Sequence, residues 1–121
     1  MSIRIDDALG VHERALGLRM QRSEILAANL ANEDTPGFQA RDIDFNKEMR
    51  RLESSTSPRA SVAGSDSQLL FRVPGQASQD GNTVELSTEQ AQFSRNSMDF
   101  QTSLTFITMK FRGLKQAIEG R

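Results

Sequence analysis

From Leu86 to Ile118 apolar residues recur in alternating steps of three and four: Leu86, Phe93, Phe100, Leu104, Ile107, Phe111, Leu114 and Ile118. Only Gln90 and Ser97 break the line, and no Pro or Gly interrupts it before Gly113. This is a heptad seam, and it predicts a helix over residues 87–119 that packs along its length against other helices. Ser87 is placed to accept from the amide of Gln90 while the Gln90 side chain reaches back, as in a capping box. Glu85 and Glu89 fall at the positive end of the helix dipole. Lys110, Arg112, Lys115 and Arg121 fall at the negative end. The helix cannot stand alone. Burial of each apolar seam residue stabilises by roughly 1.5–3 kcal/mol, whereas ordering the backbone costs about 1–2 kcal/mol per residue over the whole stretch.

A first helix is predicted over residues 6–32, with Asp6 or Asp7 as its N-cap. Its apolar positions fall on two faces, Leu9, Leu16, Met20, Ala27 and Leu30 on one, Val11, Ala15, Leu18 and Ile25 on the other. The last helix also has a second face, carrying Met98, Phe106 and Met109. Helices apolar on two sides are buried on two sides, and in so small a chain neighbouring subunits are the expected second cover. Gly10 and Gly17 each cost about 1 kcal/mol in a helix, which makes the isolated first helix frail.

Between the helices, residues 33–85 read as an irregular middle. Pro36 and Gly37 fit the second and third positions of a type II turn, and Asn32 fits a left-handed C-cap. Phe38 then folds back as an apolar anchor. Ala40 to Phe45 alternates charged and apolar residues and predicts a short extended piece, followed by a helical turn through Met49 and Leu52. Residues 53–67 are Ser-rich and predict a loop. Gln68 to Val73 predicts a strand closed by Pro74-Gly75, and Asp80-Gly81-Asn82 a turn. The expected fold is mainly α: two long terminal helices pair as a coiled-coil hairpin around a middle with short β or extended segments, in one domain of residues 1–121.

Composition narrows the function. Of 121 residues 36% are hydrophobic and 26% charged, with a net charge of −1, so no overall field draws the chain to nucleic acid or an anionic membrane. The absence of Cys excludes disulfides, thiolate metal sites and thiol nucleophiles. No stretch is long and apolar enough to span a bilayer, so no direct membrane insertion is expected, and Met1 to Ala8 lacks the apolar run of a cleaved signal peptide. His12, the only His, has no Ser or carboxylate arrangement around it and is expected on a helix surface. Asp42 and Asp44 would face the same way on an extended piece, but no further metal ligands lie at a recognisable spacing, and with Arg41 they suit salt bridges between subunits. No motif supplies a nucleophile, base and binding loop together. An enzyme, a cofactor and a small-molecule substrate are therefore not expected.

The run Ala28-Asn29-Leu30-Ala31-Asn32-Glu33-Asp34-Thr35-Pro36-Gly37-Phe38 resembles the N-terminal signature of bacterial flagellar rod, hook and hook-associated proteins. Within that family, Ala40-Arg41-Asp42-Ile43-Asp44-Phe45 and Asp80-Gly81-Asn82-Thr83-Val84 look like the proximal rod members. The resemblance runs from about Asp7 to Ile118. It implies a structural subunit that leaves through the flagellar type III export gate without cleavage and stacks helically in the rod, across the periplasm, through its terminal helices. The implied partners are copies of itself, other rod proteins, FliE, the MS-ring protein and the export gate.

The apolar pattern and the resemblance together give individual residues roles. Leu9, Leu16, Met20, Leu30, Phe93, Phe100, Leu104, Ile107, Phe111, Leu114 and Ile118 form the helix seam and subunit interface. Asn29, Asn32, Asp34, Thr35, Pro36, Gly37, Phe38, Arg41, Asp42 and Asp44 form the motif and turn. Asn32 reads most simply as a cap, and the turn aims Phe38 at an adjacent subunit. Rod and hook subunits carry a short Phe-x-x-x-apolar element for the export gate, which Phe45 and Met49 match; one turn packed on the hairpin explains that pair equally well. Frail terminal helices that order on assembly would show fast amide exchange before about Asn32 and in part of the last helix. The competing expectation is a helical-hairpin adaptor, such as a secretion chaperone, that binds a single partner.

Overall fold

A computed structural model describes the backbone of residues 5–54 and 69–120, and the side chains within those ranges from Leu9 onward. Helix α1 spans Ile5–Ala31, strand β1 Arg41–Ile43, helix α2 Phe45–Ser54, strand β2 Leu69–Phe71 and helix α3 Leu86–Glu119. The fold is mainly α, as the heptad pattern predicts. Helices α1 and α3 pack as an antiparallel pair, with Asn29 beside Glu89, Ser23 beside Asn96 and His12 beside Phe106. Strands β1 and β2 pair antiparallel, Arg41 opposite Phe71, Asp42 opposite Leu70 and Ile43 opposite Leu69.

The apolar core sits where α2 and β1 close over α1. Leu18, Ile43 and Leu52 are buried there, with Ile25, Phe45 and Met49 packed around them. Phe45, Met49 and Leu52 share one face of α2 because they are spaced by four and three residues. Asp44 starts this helix, its Oδ1 accepting from the Lys47 amide at 3.3 Å. Leu9, Leu26 and Ala40 are also buried.

Several local expectations are corrected. Asp6 and Asp7 lie inside α1 and are not its N-cap. Helix α3 begins one residue before Ser87, and its N-cap Glu85 makes no side-chain capping bond. Asn32 is not left-handed, since no described residue other than Gly has a positive φ. It closes α1 by donating from Nδ2 to the Ala28 carbonyl at 2.7 Å. The Pro36-Gly37 turn is as predicted: Gly37 has φ +74°, and the Phe38 amide donates to the Thr35 carbonyl at 3.2 Å. The Ser-rich stretch lies outside the described residues except for the end of α2.

Candidate assembly interface

The predicted seam of α3 is two columns seven residues apart in register. Phe93, Phe100, Ile107 and Leu114 form one and are half-buried. Gln90, Ser97, Leu104, Phe111 and Ile118 form the other. Helix α1 meets this second column at Ser97, which shares a cavity with Met20 and Ser23, but does not cover it from Leu104 onward. It lies against a polar column on the opposite flank, Glu89, Asn96 and Ser103, of which Glu89 and Asn96 are fully buried. Leu104, Phe111 and Ile118 therefore stay 47%, 52% and 77% exposed. Phe111, Leu114 and Ile118 line a shallow groove rimmed by Lys115 and Glu119. Met98, Phe106 and Met109 are exposed as well, as is Met20 on α1. His12 departs from its surface expectation: its ring stacks on Phe106, with centroids 6.2 Å apart.

Polar contacts fix the register of the two helices. Asn29 is buried and bonds in three directions. Its Nδ2 donates to the Arg41 carbonyl at 2.7 Å and to Glu89 Oε2 at 2.9 Å, and its Oδ1 accepts from the Arg41 amide at 3.1 Å. The inner edge of β1 is thus paired to a side chain of α1. Glu89 is met from the other side by Arg72 Nε. Arg72 Nη2 reaches Asp42 Oδ2 at 2.8 Å. Arg22 grips Asp42 with two bonds of 2.9 and 3.0 Å and donates to Gln92 Oε1 at 2.9 Å. Two arginines and two carboxylates make this cluster neutral, which is what burial of four charges requires. Burial pushes the Asp42 carboxyl up, but the Arg22 bonds, the Ile43 amide and Arg72 outweigh it and hold it below its ordinary value. Burial likewise opposes the Arg72 charge, yet Glu89 and Asp42 hold its pKa above the ordinary value. Farther along, Asn96 Nδ2 donates to the Arg19 carbonyl at 2.8 Å and to Ser23 Oγ at 2.7 Å, and Arg19 pairs with Asp99 at 3.3 Å.

The two sequence signatures are halves of one junction. The Gly37 amide donates to the Asp80 carbonyl and the Thr83 amide to the Phe38 carbonyl, both at 2.9 Å. Asn82 Nδ2 spans the carbonyls of Asn32, Glu33 and Thr35 at 2.7–2.9 Å. Its Oδ1 accepts from the Val84 amide at 2.8 Å. Thr83 Oγ1 accepts from the Ala40 amide at 2.7 Å. Gly37 and Gly81, both at positive φ, face each other closely enough that a Cβ on Gly81 would meet Gly37 Cα at 3.7 Å.

The remaining predicted positions separate. Asp42 is drawn into the buried cluster while Asp44 is exposed and caps α2, so the two do not face the same way. No group of metal ligands occurs among the described residues. Arg41 is exposed over the Phe71 ring at 5.4 Å, and Asp34, Thr35 and Pro36 are exposed. Phe38, Leu16 and Leu30 are half-buried. Phe45 and Met49 pack on the core, with the Arg19 guanidinium 3.7 Å from the Phe45 ring centroid. The basic residues of α3 do not complement its dipole: its last turn holds none of them, and Arg121 lies outside the described residues. Arg22, Arg72 and Asn96 escaped the sequence-based expectations, and Glu89 and Asn82 entered them only as a dipole partner and a turn residue. The heptad spacing of Glu89, Asn96 and Ser103 was the available signal.

A helical hairpin that spends polar residues on its internal seam and leaves an apolar column open is a protein of the assembly class. Comparison with known proteins agrees. Residues 9–39 match the family model "Flagella basal body rod protein". The chain is 41% identical to the flagellar basal body rod protein FlgB of Salmonella typhimurium, over 97% of this chain and 96% of that one. It is 42% identical to FlgB of Yersinia enterocolitica and 38% identical to FlgB of Escherichia coli K12, with 96% of both chains covered in each case. The chain belongs to the FlgB family of flagellar basal-body rod proteins. It is a structural component of the basal-body rod and not an enzyme.

Proposed function

We propose that the whole chain, residues 1–121, acts as one axial subunit of the proximal rod, near the MS ring and the export gate. It leaves the cytoplasm through the flagellar type III route without cleavage and polymerises through its terminal helices. Copies of itself, other rod proteins, FliE and the MS-ring protein are its partners. The observation that carries this reading is the open column Leu104, Phe111 and Ile118, continuous with the half-buried Ile107 and Leu114. A stripe of this length exposed on one helix marks a surface meant for another protein.

The experiment is mass spectrometry of basal bodies purified in detergent from the source cell. A fixed copy number relative to the ring proteins, resisting removal of loosely bound protein, is expected. Recovery of the chain only as a soluble one-to-one complex with a single partner would replace this reading with the adaptor.

A further inference from the structure

Strand β1 is bonded on both sides, β2 on one. The Asn29 side chain accepts from the Arg41 amide and donates to the Arg41 carbonyl, so both of these backbone groups point away from β2. Arg41 lies opposite Phe71. In an antiparallel ladder, bonded and unbonded pairs alternate, and both residues of an unbonded pair turn their backbone groups outward. The bond from the Arg72 amide to the Ala40 carbonyl, one position along, fits this alternation. The amides and carbonyls of Leu69 and Phe71 therefore face away from β1, and among the described residues no strand pairs with them.

Open sheet edges are normally blunted by Lys, Pro or a bulge. Leu69, Leu70 and Phe71 supply none of these. All three are exposed, and Val73 beyond them is 89% exposed. Arg41 stands over the Phe71 ring, and no ion pair holds it among the described residues.

We propose that the outer edge of β2 accepts an extended segment of a different basal-body protein as a third strand. That segment carries a carboxylate opposite Phe71, which pairs with Arg41, and apolar residues on either side of it. The proposal rests on the axial-subunit reading above and adds a contact distinct from the open column of α3. A row of outward amides and carbonyls selects an extended chain, because a helix arrives with its backbone groups already bonded. A second copy of this chain does not supply the segment. Its β2 carries no acidic residue. The acidic residues of its other extended stretches are taken: Asp42 by Arg22 and Arg72, Asp44 by the Lys47 amide and Glu85 by the Gly75 amide.

The test compares the free full-length chain with the same chain in purified basal bodies by amide hydrogen exchange, read residue by residue. In the free chain the Leu69 and Phe71 amides are expected to exchange fast and the Arg72 amide slowly. In the particle all three are expected to be slow. Leu69 and Phe71 amides that exchange equally fast in both would overturn the proposal. A second arm separates backbone from side chain. Phe71→Pro deletes an outward amide and Phe71→Ala keeps it, so the free chains are expected to share one unfolding midpoint while only the Pro variant is lost from basal bodies. Equal incorporation of the two would contradict the added strand. A photoreactive benzophenone residue in place of Val73 identifies the occupant. The expected linked peptide comes from a different basal-body protein and carries Asp or Glu among apolar residues. A link to a second copy, or to a peptide without an acidic residue, would overturn the proposal. The axial-subunit reading would survive any of these outcomes and would fall only if the unaltered chain were missing from basal bodies.

Discussion

Asn29 on α1 donates to the Glu89 carboxylate on α3 at 2.9 Å, and both side chains are sealed from solvent. With Arg41 of β1 on its other side, Asn29 ties three elements at one point. Asn29→Ala strands the Arg41 amide and carbonyl and removes a partner from Glu89. Each group left unpaired costs about 1–3 kcal/mol, so a large drop in the urea unfolding midpoint is expected. Asn32→Ala removes two exposed bonds, one to the Ala28 carbonyl and one from the Thr35 hydroxyl, and is expected to cost about 1 kcal/mol or less. Equal effects of the two variants would contradict the hub.

Acid should weaken the same junction. The folded-state pKa of Asp42 lies below its ordinary value, so the folded chain holds that proton less tightly than the unfolded chain does. The stabilisation is fully present above the ordinary carboxylate value near 3.8 and is lost as pH falls through the lower folded value. Thermal unfolding followed from pH 7 to pH 2 is expected to show a fall below about pH 4. Asp42→Asn should flatten part of that fall while lowering stability at pH 7.

Gly37→Val is expected to destabilise the free chain only modestly. A Cβ there meets nothing within 4 Å, so the penalty is the positive φ itself, about 1–2 kcal/mol. Incorporation into basal bodies should suffer more than monomer stability, because the turn sets the path of the exposed segment between α1 and β1. Equal loss in both assays would assign Gly37 to folding alone.

Phe45 packs on the core beneath the Arg19 guanidinium. Phe45→Ala is expected to leave a folded chain weakened by about 2–4 kcal/mol and to block its export. Secretion measured beside a Met49→Ala variant checks the claim that the two act as one export-gate element. Unchanged secretion of both would leave Phe45 and Met49 with packing as their only role.

The helices were legible because periodicity survives every other detail. The step of three and four located α3, and Pro36-Gly37 located the turn after α1. The alternation Arg41-Asp42-Ile43 located β1. What did not show was which side of α3 faces α1. Apolar periodicity points to the wettest-to-driest direction of a helix, and here the dry column serves a surface the isolated chain leaves open. The internal seam is built from Glu89, Asn96 and Asn29, residues that a hydrophobicity pattern assigns to solvent. Arg22 and Arg72 were invisible for the same reason: their value depends on Asp42 and Glu89, which lie 20 and 17 residues away in sequence. The helix caps were misplaced because a favourable residue type near a helix start does not fix which residue takes the extended conformation.

The central claim is that Leu104, Phe111 and their neighbours are kept for other subunits. The most direct measurement is the copy number of Leu104→Asp and Phe111→Asp in purified basal bodies, beside the unfolding midpoint of each free chain. Both positions are about half exposed, so the midpoints should stay within about 0.5 kcal/mol of the parent, while the variants disappear from the particle. Normal copy numbers for both variants would contradict the account. Incorporation lost only in step with monomer stability would contradict it equally.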